Sequence, residues 1–286
     1  MRAIDLHTHS NCSDGTLTVK ELMDLAHAKN LAAIALTDHD TVDGLDEAIS
    51  YTKEKYPDME LVPGIEFSTV EEGKDVHIVG LYIDHHNESF VSKLTQFIES
   101  RTNRNVKMCD KLRKEAGIPI TYEELVSSFP GAVITRAHYA RFMVERGYVN
   151  SRQEVFDKYI GDNCPYYVER EKISPEEAIG YVLEAGGVPV LAHPILYHFS
   201  DRKLEALVSR LKNAGLKGIE AIYSTYSPSE ERQIKELASK YELLISGGSD
   251  FHGANKPKID LGCGMGKLFL PEDLLEPIRR AAGTVN

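Results

Sequence analysis

The feature that most constrains this chain is a recurrence of short apolar runs, several closing on histidine or a carboxylate, with helix-start signals between them. The runs cover residues 3–6, 32–36, 61–62, 76–83, 188–192, 218–223 and 243–245. Strand followed by helix is the pattern of an α/β fold. Four intervening segments open with a Ser/Thr-x-x-Glu capping box, at Thr18/Glu21, Thr121/Glu124, Ser174/Glu177 and Ser227/Glu230. In that box the hydroxyl accepts the third helical N–H and the glutamate reaches back to the cap's own N–H. The last two also carry proline at the first helical position, where its missing N–H costs nothing.

One stretch breaks the rhythm. Between Ile83 and Val188 lie 104 residues without a convincing buried strand, too many for a single crossover connection. Residues 88–115 read as one long helix, with Leu94, Phe97, Ile98, Met108 and Leu112 near helical spacing. Smaller helices should follow to about residue 162. The spacing therefore predicts an inserted helical domain at 99–167, interrupting a unit made of 1–98 and 168–286.

With 286 residues, 42% of them hydrophobic, the chain has ample material for one large core or two modest ones. Its longest pure apolar run, 31–36, is six residues, against the ~18–20 needed to cross a bilayer. Asp5 and His7 come so early that no secretory leader fits before them. A cytoplasmic protein without a membrane partner is expected. Cys12, Cys109, Cys164 and Cys263 form no CxxC pair and read as reduced thiols. A net charge of -11 repels phosphate backbones, which argues against long duplex nucleic acid as a partner. An anionic substrate would need a local positive site.

Such a site is implied by six of the 11 histidines. His7 and His9 flank Thr8 after the first run, and period 2 turns both rings to one side. Asp14 follows in a Ser/Gly loop, Asp38, His39 and Asp40 end the second run, and Glu66 ends the third. His77 lies in the next, His193 ends the run at 188–192, and Asp250 and His252 end the run at 243–245. In β/α barrels the C-terminal strand ends converge on one face. Any one of these histidines alone would be a hydrogen-bonded core residue. Six imidazoles and three carboxylates buried together without cations would cost several kcal/mol per uncompensated ion. Divalent metals resolve this, and a His/carboxylate set without thiolate suits zinc, manganese or iron better than calcium.

Taken in series, Ile4-Asp5-Leu6-His7-Thr8-His9-Ser10, Ser13-Asp14-Gly15-Thr16, Thr37-Asp38-His39-Asp40, Gly64-Ile65-Glu66, Ala192-His193-Pro194 and Ser249-Asp250-Phe251-His252 resemble the motifs of the PHP (polymerase and histidinol phosphatase) family. The resemblance covers the chain outside the insertion. It implies an α/β fold, a distorted (β/α)7 barrel, holding three divalent ions. His7, His9, Glu66 and Asp250 would hold the first, Glu66, His77 and His193 the second, and Asp14, His39 and His252 the third, with Glu66 bridging two. Histidinol phosphatases of the family usually carry histidine where this chain has Asp14. The Ser-Asp-Gly-Thr run and the helical insertion are instead similar to the branch containing 3',5'-nucleoside bisphosphate phosphatases and 5'-to-3' exonucleases of short RNA. The implied activity is metal-dependent hydrolysis of phosphate from small nucleotides or from the 5' end of short oligonucleotides. The alternatives are a histidinol-phosphate-type phosphatase, an amidohydrolase acting on C–N bonds, and a non-catalytic metal scaffold. Metal-dependent phosphate release separates a phosphoesterase from an amidohydrolase. Loss of ligands would mark the scaffold, and all nine positions here hold competent ligand types.

Bound divalent ions would outweigh the Asp14, Glu66 and Asp250 carboxylates and make a local anion trap. They would also lower the pKa of water to ~7. Asp38 and Asp40 are expected to orient ligand histidines or handle protons. Arg101, Arg104, Lys107 and Lys111 fall within about a third of the helix circumference at ~100° per residue, a stripe that is ordinarily a solvated face. Arg136 and His138 stand beside a probable helix start, where donors favour phosphate. The resemblance places that segment near substrate, so Arg101, Arg104, Arg136 and His138 are candidate substrate contacts and Arg136 a candidate catalytic group. Tyr223 and Tyr226 could stack on a base or pack the barrel rim. Cys12 and the pair His85/His86 are expected to be structural or solvent-facing.

Overall fold

The computed structural model describes residues 2–161, 164–169 and 173–283. Its first half runs β1 (Ala3–Asp5), α1 (Val19–Ala28), β2 (Ala33–Leu36), α2 (Leu45–Lys55), β3 (Glu60–Glu71), β4 (Lys74–Leu81), α3 (Glu88–Glu115), α4 (Tyr122–Ser128), α5 (Arg136–Glu145) and α6 (Arg152–Val155). The second half runs α7 (Pro175–Glu184), β5 (Val188–Leu191), α8 (Asp201–Asn213), β6 (Gly218–Tyr223), α9 (Pro228–Lys240), β7 (Leu244–Gly248), β8 (Leu270–Pro271) and α10 (Leu275–Ala281). All four expected capping boxes form, at the starts of α1, α4, α7 and α9. A fifth opens α5, where the His138 ring takes the place of the usual glutamate and accepts the Thr135 N–H at 2.9 Å. None of the described helices is long and apolar enough to cross a membrane.

Strands β1 to β7 lie side by side in chain order, with β8 on the outer edge of β1. β4 is antiparallel to both neighbours, whereas the other adjacent pairs among β1 to β7 are parallel. The barrel closes at its rim, just beyond the regular strands. There Thr8 bridges Phe251, Asp250 N–H donates to His7 O at 2.8 Å, and His9 N–H donates to Phe251 O at 3.0 Å. Gly248 permits this approach, since a Cβ on it would stand 2.4 Å from His7 Cβ. Lower down, β8 pairs with β1 through Ile4 and Leu270. The result is the distorted, nearly closed barrel that the motif series implies.

One expectation is corrected. Glu66 does not end its strand: β3 continues to Glu71 and turns through Glu72 and Gly73, at φ 48° and 76°, into β4. Two left-handed residues suit the right-handed twist of a tight hairpin. Glu66 is therefore a mid-strand residue opposite Val79, and His77 lies opposite Ser68 on the returning strand.

The alternation of β2 feeds two cores, with Ile34 and Leu36 in the layer between strands and helices and Ala33 and Ala35 in the other. A further core belongs to the insertion, built from residues such as Leu112, Tyr139, Phe142 and Met143. Helix α3 joins them. Its Phe90, Leu94 and Phe97 pack into the barrel layer while Met108, Cys109 and Leu112 pack into the insertion. Each such buried side chain contributes roughly 1.5–3 kcal/mol, so the helix is anchored firmly at both ends.

Candidate metal centre

At the rim, the side chains converge on Glu66, which is fully buried. Its Oε2 lies 3.2 Å from His7 Nε2, 3.3 Å from His9 Nε2 and 3.1 Å from His39 Nδ1. Its Oε1 lies 2.8 Å from His77 Nδ1 and 3.1 Å from His193 Nε2. Asp250 Oδ1 continues the cluster at 3.2 Å from His9 Nε2 and 3.3 Å from His252 Nδ1. Asp14 Oδ1 closes it at 3.2 Å from His252 Nε2. All nine candidate ligands are thus contiguous. Their tightest groups are His9/Asp14/His39/His252, His7/Glu66/His193, His7/His9/Asp250 and His39/Glu66/His77. His7, His9 and His39 each join two groups, a sharing that motif order did not disclose.

The donor atoms fit cations rather than one another. His7 Nε2, His9 Nε2, His39 Nδ1, Asp14 Oδ1 and Glu66 Oε2 are buried without a hydrogen-bond partner among the described residues. Buried polar atoms are normally paired, and here nitrogen and oxygen atoms face one another at the centre of the cluster. Without cations the site is electrostatically divided. Burial opposes the charged form of His9, but Asp250 and Glu66 win and raise its pKa to about 9. Burial dominates at His39 and pushes it down to about 3. Burial also opposes ionisation of Glu66, yet His7, His39 and His77 hold its carboxyl well below the usual range. Imidazole nitrogens and carboxylate oxygens at these separations can hold divalent metal, the carboxylates ionised and the rings neutral.

The supporting groups include several that the motif reading missed. Glu220 on β6 accepts from His7 Nδ1 at 2.8 Å and from the His193 backbone N–H at 2.7 Å, so one carboxylate orients two candidate ligands. Asp5 on β1 accepts the N–H groups of Ser249 at 2.8 Å and Gly262 at 2.9 Å, tying the Asp250 loop to the first strand. Asp250 Oδ2 accepts from Tyr223 Oη at 2.6 Å and Lys256 Nζ at 2.5 Å. That leaves Oδ1 for the cluster. In the sequence, Glu220 showed as a charge inside an otherwise apolar run, and Asp5 as a member of the first motif to which no role was given. Tyr223 is 5% exposed, so it braces Asp250 and does not offer a face for stacking on a base. Tyr226 Oη accepts the Ile195 N–H at 3.2 Å, a packing role.

Asp38 and Asp40 hold neighbouring hydroxyl, amide and guanidinium groups. Asp38 accepts from Ser10 N–H at 2.8 Å, Ser10 Oγ at 2.6 Å and Ser13 Oγ at 2.5 Å, which shapes the loop carrying Asp14. Asp40 accepts from Ser68 N–H at 2.8 Å and pairs with the Arg101 guanidinium.

Beside the cluster opens a cavity of about 210 Å³ whose wall includes His39, His77, Arg101, Arg104, Arg136 and Tyr167. The stripe read as a solvated face divides: Arg101 and Arg104 are 5% and 8% exposed and turn into this cavity, while Lys107 stays exposed. The reason is that α3 runs between two cores, so one side of the stripe is enclosed by the insertion. Arg101 Nε and Arg104 Nε are buried without a partner among the described residues. Burial, with Arg101 and Arg136 nearby, lowers the Arg104 pKa to about 10. Arg136 donates to Asp75 at 2.6 Å and lies over the Tyr167 ring, 5.3 Å from its centroid. His138 is not among the residues lining the cavity. It is spent as the cap of α5, and burial pushes its pKa down to about 4. Thr135 Oγ1, on the same cap, donates to Asp14 Oδ2 at 3.2 Å.

An α/β barrel with a His/carboxylate cluster at its rim and an arginine-lined cavity beside it defines a metallohydrolase acting on an anionic ester. The chain belongs to the PHP domain family, whose model matches residues 5–161, and it is a metal-dependent phosphoesterase. It is 37% identical over 267 residues to the 5'-3' exoribonuclease Rnm of Escherichia coli, covering 93% of this chain and 89% of that one. It is 34% identical over 270 residues to a 3',5'-nucleoside bisphosphate phosphatase of Chromobacterium violaceum, covering 92% and 91%. A solved structure from Bifidobacterium adolescentis, described as a metal-dependent phosphoesterase, superposes with a TM-score of 0.84 at 30% identity, covering 98% of this chain and 96% of that one.

Proposed function

We propose that this phosphoesterase removes phosphate from nucleoside 3',5'-bisphosphates and trims short oligonucleotides from the 5' end, acting in the cytoplasm. In this reading three divalent ions, manganese, zinc or iron, are held by His7, His9, Asp14, His39, Glu66, His77, His193, Asp250 and His252. Bound there, they supply positive charge for the phosphoryl oxygens and a water of lowered pKa. The chain's own residues do the rest. Glu220, Tyr223 and Lys256 fix the ligands that they touch, and Asp38 and Asp40 fix the loop bearing Asp14 and the Arg101 guanidinium. Residues 99–167, with the barrel of 1–98 and 168–286 beside them, supply the wall that recognises substrate.

The observation that carries the substrate class is Arg104, a buried guanidinium with no ion pair among the described residues, beside Arg101, which Asp40 already pairs, in a cavity shared with His39 and His77. A buried cation costs free energy unless it is paired, and a second phosphate supplies the charge that Arg104 lacks. A substrate with one phosphate at the cluster and another at the arginines spans this cavity, and Arg136 is positioned to join the second. The test is phosphate release from a panel of a nucleoside 3',5'-bisphosphate, the two monophosphates, a 5'-phosphorylated trinucleotide and p-nitrophenyl phosphate. The bisphosphate and trinucleotide should show kcat/KM well above the monophosphates. Equal values across the panel would remove the second-phosphate subsite from this reading.

A further inference from the structure

We propose that Asp46, His85 and His86 form a separate surface site for a transition-metal ion, best matched by zinc. Asp46 lies in the first turn of α2, and the two histidines lie in the turn between β4 and α3. His85 Nε2 is 2.9 Å and His86 Nε2 3.1 Å from the same oxygen, Asp46 Oδ1. One donor atom from each of the three lies within 4.8 Å of the others. The two rings sit 4.1 Å apart at 38°, although consecutive side chains in an extended chain point to opposite sides.

The turn that brings them together is held without help from the imidazoles. Asp84 N–H donates to Ala185 O at 2.8 Å, Asn87 N–H donates to Asp84 O at 3.1 Å, and His86 N–H donates to Asp84 Oδ1 at 3.1 Å. The Asn87 side chain then caps α3 by accepting the Phe90 N–H at 3.0 Å. The His85 side chain is only 10% exposed, while those of His86 and Asp46 are 69% and 70% exposed. One ligand is thus anchored, and the open side admits an ion and its water. Two hydrogen bonds to one exposed carboxylate oxygen contribute little by themselves.

Two imidazole nitrogens, one carboxylate oxygen and an open fourth position form a donor set suited to zinc, with copper and nickel as the nearest competitors. Magnesium and calcium prefer all-oxygen sites. This set shares no residue with the barrel cluster. An ion there would pin the start of α2, which follows the His39 loop, to the turn that leads into α3 with Arg101 and Arg104.

The experiment is equilibrium dialysis of the whole protein against zinc, with wild type, His86→Ala and Asp46→Asn compared at equal protein concentration. Wild type should bind one more zinc per chain than either variant. Hydrolysis of p-nitrophenyl phosphate and the circular dichroism spectrum should be unchanged, because these side chains are peripheral. Added magnesium should leave the difference intact. Equal zinc stoichiometry and affinity in all three proteins would overturn the site. So would a loss of zinc accompanied by a loss of hydrolysis, since the missing ion would then belong to the barrel cluster.

Discussion

The candidate ligand cluster and the arginine wall share one cavity but are built in opposite ways. The cluster is assembled from β3 and β4, which carry Glu66 and His77, and from the ends and following loops of other strands, where the backbone is locked. Asp40, His193 and Asp250 adopt left-handed φ values of 56°, 28° and 56°, conformations costing on the order of 1–3 kcal/mol for non-glycine residues. Each is held by a named bond: Asp40 N–H to Glu66 O at 3.0 Å, Asp250 N–H to His7 O at 2.8 Å, and His193 N–H to Glu220. The wall instead hangs on regular helices, with Arg101 and Arg104 within α3 and Arg136 at the start of α5. Its position depends on how the insertion core packs beside the barrel. In the proposed reading, chemistry would rest on rigid backbone and recognition on side chains that a modest repacking could move. The two should therefore respond differently to mutation.

The sharpest way to break that division is to remove a ligand. Asp250→Asn should leave the circular dichroism spectrum intact but abolish hydrolysis of every substrate, bisphosphate and p-nitrophenyl phosphate alike. Asparagine is nearly isosteric, yet it cannot supply the anionic oxygen that faces His9 and His252. Full activity in this variant would show that the cluster is not the reacting centre.

On the other side of the cavity, Arg104→Ala or Arg136→Ala should raise KM for the bisphosphate by ~10- to 150-fold, the worth of a charge-assisted hydrogen bond. KM for p-nitrophenyl phosphate should barely change. Loss confined to KM is the signature of ground-state binding. Equal losses on both substrates would place these arginines at the reacting phosphate and erase the distinction.

Glu220→Gln probes the scaffold beneath the ligands. Replacing a carboxylate that orients a ligand typically costs ~10- to 100-fold in metal affinity, measurable by competition with a chelator. Retention of wild-type affinity would mean that His7 and His193 need no such support.

The smallest effect concerns pH. In the metal-free chain His9 holds its proton up to about pH 9, and metal binding must displace that proton. Affinity should therefore keep rising with pH up to about 9, by at most ~10-fold per unit for this group. It should not level off near the ordinary histidine value of ~6.5. A plateau from pH 7 upwards, in metal content measured against a fixed chelator buffer, would show that His9 is neutral before metal arrives.

Much of the rim was legible in the sequence because strands place residues locally. His7-Thr8-His9 share a side by period 2, His193 and Asp250 follow apolar runs, and the capping boxes at Thr18, Thr121, Ser174 and Ser227 mark helix starts by chemistry confined to four residues. Glu66 was found as a candidate but misplaced at a strand end. Nothing in three or four residues reveals that the chain will double back at Glu72 and Gly73 and extend the strand by pairing. His138 was read for its charge, whereas the structure uses its ring to cap its own helix.

Residue types and their order thus determined the alternating α/β pattern, the helix boundaries and the set of nine candidate ligands, since each depends on periodicity or on bonds a few residues long. Only the tertiary structure decided which imidazoles are shared between groups, that Glu220 and Asp5 stand behind them, and that Arg101 and Arg104 are enclosed while Lys107 is not. Those outcomes depend on contacts between segments as far apart as His7 and Glu220, 213 residues along the chain. A helical stripe looks the same in sequence whether water or a second core covers it.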